Sequence, residues 1–362
     1  MSTIDLRRLT KRFGDFTAVK DVDLSVTAGE VVCLLGPSGC GKTTTLRMIA
    51  GLERATAGDI IVAGRRMNDL PPEKRDIAMV FQFYALYPAL PVGQNIAFPL
   101  HYEGLEKREL ERRVARVAKV LHLEGILDRI PGQISEGEKQ RVAVARAIIR
   151  DPNCFLFDEP LSRLDVELRQ SMRGQIKEVL AGLSKATVIV THDQLEALTM
   201  ADRIAIMRDG IIEQIATPHE VFARPANVFV ASFIGTPQMN LIEVDLKTVE
   251  GRRAAVGIES KNLEIEVDHA VNELKPSRVT IGIRPRALYP CAQAGKDTLM
   301  AKAELIEPMG AETLIHARGE AGHDIRVVVP RDVKVKIGEM LHLKPDPRQT
   351  HIFNGEGRAV RS

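Results

Sequence analysis

The chain has 362 residues, 44 % hydrophobic and 27 % charged, which is the balance of a soluble globular protein and enough length for one large domain plus a smaller one. Lys and Arg number 50 against 48 Asp and Glu, a net charge of +2, and this argues against a protein whose main work is gripping nucleic acid through phosphates. Aromatic residues make up 4 % with no Trp, which disfavours a base-stacking platform, and Cys33, Cys40, Cys154 and Cys291 have neither disulfide nor metal spacing, so a reducing compartment is expected.

The first eight residues, Met1 to Arg8, hold no apolar core and do not read as a secretory signal. No apolar run is long enough for a transmembrane helix. Val31 to Leu35 is the first buried-strand run, and Cys154 to Phe157 and Thr187 to Val190 match it; all three predict central strands covered on both faces. Residues from about 85 to 152 carry helical pattern without a convincing strand, with Leu110, Val114, Val117 and Leu121 on one face. Leu168, Met172, Ile176 and Val179 or Leu180 form a second stripe. Strands and helices alternating in this way predict a layered α/β domain. At Gly235-Thr236-Pro237-Gln238-Met239-Asn240 the character changes to short β-type runs, such as Arg278 to Ile283 and Ile325 to Val329. The expected domains are 1–235, with a helical insert at about 85–152, and an all-β domain over 236–362.

Directly after the first strand comes Gly36-Pro37-Ser38-Gly39-Cys40-Gly41-Lys42-Thr43, followed by a helical run from Thr44 to Ala50. This fits GxxxxGK[ST], in which glycines let backbone N–H groups wrap phosphates at a helix N-terminus. Lys42 is placed for the β and γ oxygens and Thr43 for magnesium, while Cys40 reads as a small loop filler. The strand from Cys154 ends in Asp158-Glu159, which supplies a magnesium carboxylate and a base for an attacking water. His192 follows the strand ending at Val190, where a ring nitrogen can meet the γ-phosphate; a lone His is more often structural. Gln82 offers an amide oxygen to magnesium, although a Gln alone carries little signal.

Taken together, Gly36 to Thr43, Gln82, Ile134-Ser135-Glu136-Gly137-Glu138-Lys139-Gln140-Arg141, Asp158-Glu159, Ser162-Arg163-Leu164-Asp165 and His192 resemble the ATPase subunits of ATP-binding-cassette (ABC) transporters. That likeness covers about residues 3–235. Phe81 to Pro88, Gly235 to Asn240 and Gly282-Ile283-Arg284-Pro285 resemble the carbohydrate-uptake importer branch, of maltose and multiple-sugar type. The resemblance implies a P-loop ABC ATPase domain with a helical subdomain, followed by a small OB-like (TOBE-type) regulatory domain. It further implies an ATPase, with ATP and Mg2+ as cofactors, energising import of a sugar, polyol or sugar-like solute. The alternatives are an importer ATPase for polyamine or iron, and a soluble cassette acting on nucleic acid.

By the same resemblance, Gly36, Pro37, Ser38, Gly39, Cys40, Gly41, Lys42, Thr43 and Thr44 contact nucleotide. Ser135 and Gly137 face the γ-phosphate of a second ATPase subunit, either a copy or a paralogue, and Asp165 crosses to that subunit's cradle. Phe13 stacks on adenine, with Phe16 as the adjacent alternative and a core role open for either. Two integral membrane permease subunits dock near Phe83 to Leu90, an extracytoplasmic solute-binding protein is an indirect partner, and nucleic acid is not a partner. The expected place is peripheral, on the cytoplasmic face of a bacterial inner membrane. Departures are Ile134, Glu136 and Glu138 in a signature that usually reads Leu-Ser-Gly-Gly-Gln, Arg163 for a common Asn, and Phe83 for a common Ser. A Glu136 carboxylate about 5 Å from the γ-phosphate would cost roughly 3 kcal/mol at an effective dielectric near 20. An outward-facing carboxylate is therefore expected.

Overall fold

A computed structural model describes residues 3–162, 164–249, 252–257, 264–266, 278–320 and 322–360. The chain divides into two compact units, Met1–His219 and Glu220–Ser362. Residues 220–235, read from sequence with the first domain, thus group with the second unit.

In the first unit, β1 (Ile4–Phe13) and β2 (Phe16–Val26) form a hairpin. With β4 (Ala57–Val62) and β5 (Arg65–Arg66) they make an antiparallel sheet of order β2-β1-β4-β5. The second sheet has the order β10-β9-β3-β8-β7-β6. Its strands are β3 (Val31–Leu35), β6 (Ile77–Val80), β7 (Cys154–Asp158), β8 (Ala186–Thr191), β9 (Arg203–Arg208) and β10 (Ile211–Ala216). All pairings are parallel except that of β10, which closes one edge antiparallel to β9. Every residue of β3 and β8 is buried, as unbroken apolar runs in a parallel sheet require.

Helix α1 (Lys42–Ala50) links the two sheets: Leu46, Met48 and Ile49 join Ile4, Leu6 and Ile60 of the antiparallel sheet and Leu34, Leu156 and Val188 of the parallel one in a single core. The stretch 85–152 contains no strand. Its helices are α2 (Val92–Ala97), α3 (Lys107–Val120) and α4 (Glu136–Ile148). On α3 the apolar stripe buries Val114 and Val117, with Leu121 just beyond its end. Helix α5 (Val166–Leu183) buries Met172, Ile176 and Leu180, so Leu180 rather than Val179 completes the stripe. Helix α6 (Gln194–Met200) follows β8.

The second unit opens with α7 (Pro218–Ala223), which straddles the division, and α8 (Val228–Phe233). Two five-stranded antiparallel sheets follow, with strand orders β13-β12-β11-β14-β20 and β15-β19-β16-β17-β18. The first comprises β11 (Asn240–Val249), β12 (Arg252–Gly257), β13 (Glu264–Glu266), β14 (Arg278–Ile283) and β20 (Thr350–Phe353). The second comprises β15 (Leu288–Cys291), β16 (Leu299–Pro308), β17 (Glu312–Gly319), β18 (Asp324–Pro330) and β19 (Met340–Pro345). Alternate residues of both sheets, among them Val244, Ile281, Leu299, Ile315, Val327 and Leu343, share one core. This is the expected all-β domain.

Arg284 explains the place of residues 220–235. It is 7 % exposed, and its guanidinium donates to the carbonyls of Ile234, of Phe222 at 2.9 Å and of Ala231 at 3.4 Å, while lying 4.0 Å over the Phe222 ring. Burial pulls its pKa down to about 10. Gly235 has φ +107°, and a Cβ there would stand 2.7 Å from Arg284 Nη1, so both backbone and space demand glycine.

Candidate functional site

The register of the parallel sheet sets three loops side by side. Leu35 pairs with Thr191 and Asp158 with Val190, so the chain leaves β3 at Gly36, β7 at Glu159 and β8 at His192 along one carboxyl edge.

The loop after β3 is shaped by close approach. A Cβ on Gly36 would lie 2.3 Å from the Met207 carbonyl oxygen, and one on Gly41, at φ +104°, 2.5 Å from that of Ala18. Gly41 then caps α1. Lys42 is 6 % exposed and its Nζ donates to the carbonyls of Gly36 at 2.8 Å and Pro37 at 2.9 Å. Its ammonium is thus held over the turn, with Cys40 Sγ at 3.7 Å. Burial pushes the Cys40 thiol up, which suits a loop filler better than a nucleophile. Pro37, Ser38 and Gly39 form the exposed crest of the turn, and Thr44 lies in the first turn of α1.

Thr43 Oγ1 donates to Asp158 Oδ1 at 3.3 Å, across 115 residues of sequence. Burial raises the Asp158 carboxyl above the usual aspartate range, and the neighbouring Glu159 charge adds to the rise against the Thr43 hydrogen bond. Glu159 itself has φ +47°, a left-handed turn that costs a non-glycine residue about 1–2 kcal/mol and swings its side chain off the line of β7. Its carboxylate accepts from Gln82 Nε2 at 3.2 Å on Oε2 and lies 3.2 Å from His192 Nδ1 on Oε1. Gln82 also donates to Ser162 Oγ at 3.3 Å. Two clusters therefore meet at the sheet edge: Thr43 with Asp158, and Gln82, Glu159 and His192. The Gln82 amide nitrogen turns to Glu159 and Ser162; no hydrogen bond links it to Thr43 or Asp158.

Other expected residues stand apart from this edge. Ser135 caps α4 in a reciprocal box: its backbone N–H and Oγ donate to Glu138 Oε2 at 2.7 and 2.8 Å, and Glu138 N–H returns to Ser135 Oγ at 3.3 Å. The box holds the Glu138 carboxyl below the usual range, the Ser135 N–H being the main cause. Glu136, half exposed, pairs with Lys139 at 2.7 Å. Gly137 packs under Leu168, where a Cβ would stand 2.8 Å away. Asp165 caps α5, accepting from Leu168 N–H at 2.9 Å. Arg163 lies outside the described residues. Phe13 and Phe16 are both exposed, so neither is core, and Lys11 Nζ sits 4.6 Å from the Phe13 ring centre.

The segment from Phe83 to Leu90 is held from beneath by Asn95, which is fully buried. Its side chain accepts from Tyr87 N–H at 2.8 Å and donates to the carbonyls of Tyr87 at 3.0 Å and Leu90 at 2.8 Å. Arg146 donates to the Ala85 carbonyl and stacks 4.9 Å over Tyr87, while Phe83 stays 66 % exposed. Asn95 and Arg146 carry no local signal in the sequence, since their partners are mostly backbone groups, and Ser162 enters there only as part of the Ser162–Asp165 segment, without a role of its own. Among the described residues no helix is long and apolar enough to cross a membrane.

Comparison with known proteins matches residues 19–162 to a family model described as ABC transporter and residues 281–353 to one described as TOBE domain. The chain is 43 % identical to the sn-glycerol-3-phosphate import ATP-binding protein UgpC 1 of Rhizobium johnstonii, covering 100 % of this chain and 97 % of that protein. It is 43 % identical to the sulfoquinovosyl glycerol transport ATP-binding protein SmoE of Agrobacterium fabrum, over 98 % of each. Against the lactose transport ATP-binding protein LacK of Rhizobium radiobacter identity is 40 %, over the full length of both. A solved dimeric structure of the ATP-binding cassette MJ0796, in a post-hydrolysis state bound to ADP and Pi, aligns with a TM-score of 0.53 at 32 % identity. That alignment covers 59 % of this chain and 98 % of the cassette.

Proposed function

Since the chain belongs to the ABC transporter family, we propose that it is the ATP-hydrolysing subunit that energises import of a sugar or sugar-like solute through partner membrane subunits. The observation that carries the reading is the meeting, at one sheet edge, of a glycine-built phosphate cradle, a Thr43–Asp158 pair and a Gln82–Glu159–His192 cluster. The carbohydrate-type cargo is supported by the names of the full-length relatives, which carry lactose, glycerol phosphate and a sulfoquinovosyl glycerol.

The roles follow from chemistry. Lys42 exchanges its two carbonyl acceptors for β and γ oxygens, a charge-assisted and stronger pairing. Thr43 Oγ1, the Asp158 carboxylate and the Gln82 amide oxygen, whose nitrogen faces Glu159 and Ser162, are hard oxygen donors that suit Mg2+, which when bound supplies Lewis-acid polarisation of phosphate oxygens. Glu159 takes a proton from the attacking water. Gln82 and His192 hold its two carboxylate oxygens, and His192 keeps Nε2 for a phosphate oxygen. What the family resemblance adds is a dimer of like subunits in which Ser135 and Gly137 at the start of α4 face the partner's γ-phosphate, Asp165 meets the partner's cradle, and Phe13 covers adenine. The permease subunits dock on Phe83 to Leu90. The subunit is then peripheral, at the cytoplasmic face.

The test is Glu159→Gln in the reconstituted transporter. ATP binding is expected to hold within about twofold while kcat falls at least about 100-fold and a closed dimer accumulates. Full hydrolysis by this variant removes Glu159 from the role of base, and failure of the wild type to bind ATP removes the whole reading.

A further inference from the structure

Resting on the function proposed above, we infer that Arg169 is a positioning residue that ties the segment ending at Asp165 to the His192 turn of the same subunit. Arg169 lies in the first turn of α5, and its backbone N–H donates to the Asp165 carbonyl at 2.9 Å. Its guanidinium reaches in two directions. Nη2 donates to the Leu164 carbonyl at 2.9 Å, and Nη1 to Asp193 Oδ2 at 3.3 Å. One planar group thus joins the residue before Asp165 to the residue after His192.

The far end of this link is braced. Asp193 Oδ1 caps α6, accepting from the N–H groups of Leu195 at 2.8 Å and Glu196 at 3.1 Å. Asp193 N–H donates to Thr191 Oγ1 at 3.0 Å, and Thr191 Oγ1 donates to Glu196 Oε2 at 2.6 Å, with both of these residues buried. His192 sits between two fixed neighbours, and its ring, more than half exposed, meets Glu159 at 3.2 Å. The position of the turn therefore sets the position of the ring. A movement of Leu164 and Asp165, when a second subunit arrives there, reaches His192 through Arg169 without passing through the phosphate cradle.

Arg173, one turn further along α5, supplies the internal control. Its Nη2 lies 3.5 Å from the same Asp193 Oδ2, while the Leu164 carbonyl accepts from Arg169. Lys at 169 would keep the charge beside Asp193 but replaces the rigid fork by a single ammonium on a flexible stem.

Arg169→Gln, Arg169→Lys and Arg173→Gln are compared in the assembled transporter by ATPase kinetics and by equilibrium ATP binding. Arg169→Gln is expected to lower kcat at least tenfold with ATP affinity unchanged, because the cradle is untouched. Arg169→Lys is expected to stay low, and Arg173→Gln to keep kcat within twofold. Should Arg169→Gln not fold, Arg169→Lys carries the same test. Recovery of kcat by the lysine variant reduces the link to a charge pair and overturns the inference, as does a loss of ATP affinity in step with kcat. A wild type that hydrolyses ATP beside a fully active Arg169→Gln sinks the inference alone; a wild type that does not hydrolyse sinks the function on which it rests.

Discussion

Asp158 holds a carboxylate where burial and the Glu159 charge both disfavour ionisation. A cation relieves that cost and a proton competes with it. Magnesium-dependent nucleotide binding is therefore expected to weaken on acidification from a pH above the usual aspartate value of about 3.9. A magnesium titration at successive pH values reads this directly, and Asp158→Asn is expected to remove the pH dependence. Stability moves the opposite way: a carboxyl raised on folding binds its proton more tightly in the native state, so the unliganded fold gains stability as pH falls through the raised value. Glu136 makes a contrasting case. Its carboxylate turns along its own helix to Lys139, at 2.7 Å and half exposed. Glu136→Gly is expected to leave ATP turnover within about fivefold, since an exposed pair of this kind contributes at most about 1 kcal/mol, a factor of about five; a steady-state assay decides it.

Among the elements, the loop between β6 and α2 is braced by two side chains, Asn95 and Arg146. Asn95 satisfies backbone groups of Tyr87 and Leu90 from a fully buried position. Asn95→Ala leaves the Tyr87 N–H and the Leu90 carbonyl without their side-chain partner, at about 1–3 kcal/mol for each buried one, while the Tyr87 carbonyl keeps the Leu90 N–H at 3.2 Å. The expected result is a melting temperature lower by several degrees and early proteolytic cleavage between residues 83 and 91, measured on the same sample. Legibility from sequence followed the same physics. The cradle was readable because its glycines, Lys42 and Thr43 are contiguous, and β3, β7 and β8 because a strand buried on both faces is an unbroken apolar run. The β1–β2 hairpin gave no comparable signal, since charged residues such as Arg7, Arg8 and Lys20 occupy its exposed face. Glu138 looked like a departure from a signature, yet Ser135 and Glu138 also spell a capping box that spacing alone reveals. The Gln82–Glu159 contact spans 77 residues and has no local signature; the sequence offered Gln82 only as an amide oxygen for magnesium.

At the scale of the whole chain, the second unit carries its own acid sensitivity. Burial, aided by the Arg284 charge, pulls His351 down to about 4. An unfolded histidine titrates near 6.5, so the unfolded chain takes up the proton first as pH falls. Stability is complete above about pH 6.5 and is lost progressively down to about pH 4, by at most about 3 kcal/mol. Denaturation curves across that window are expected to flatten in His351→Gln. No local pattern announced the Arg284 arrangement, because its acceptors are carbonyls, which every residue possesses.

The carbonyls of Phe222, Ala231 and Ile234 converge on an arginine some fifty residues downstream, and this has a bearing on how such proteins recombine. A chimera spliced at residue 235 would inherit the arginine from one parent and its acceptors from the other. A crossover placed ahead of α7 would pass both on as a single heritable block.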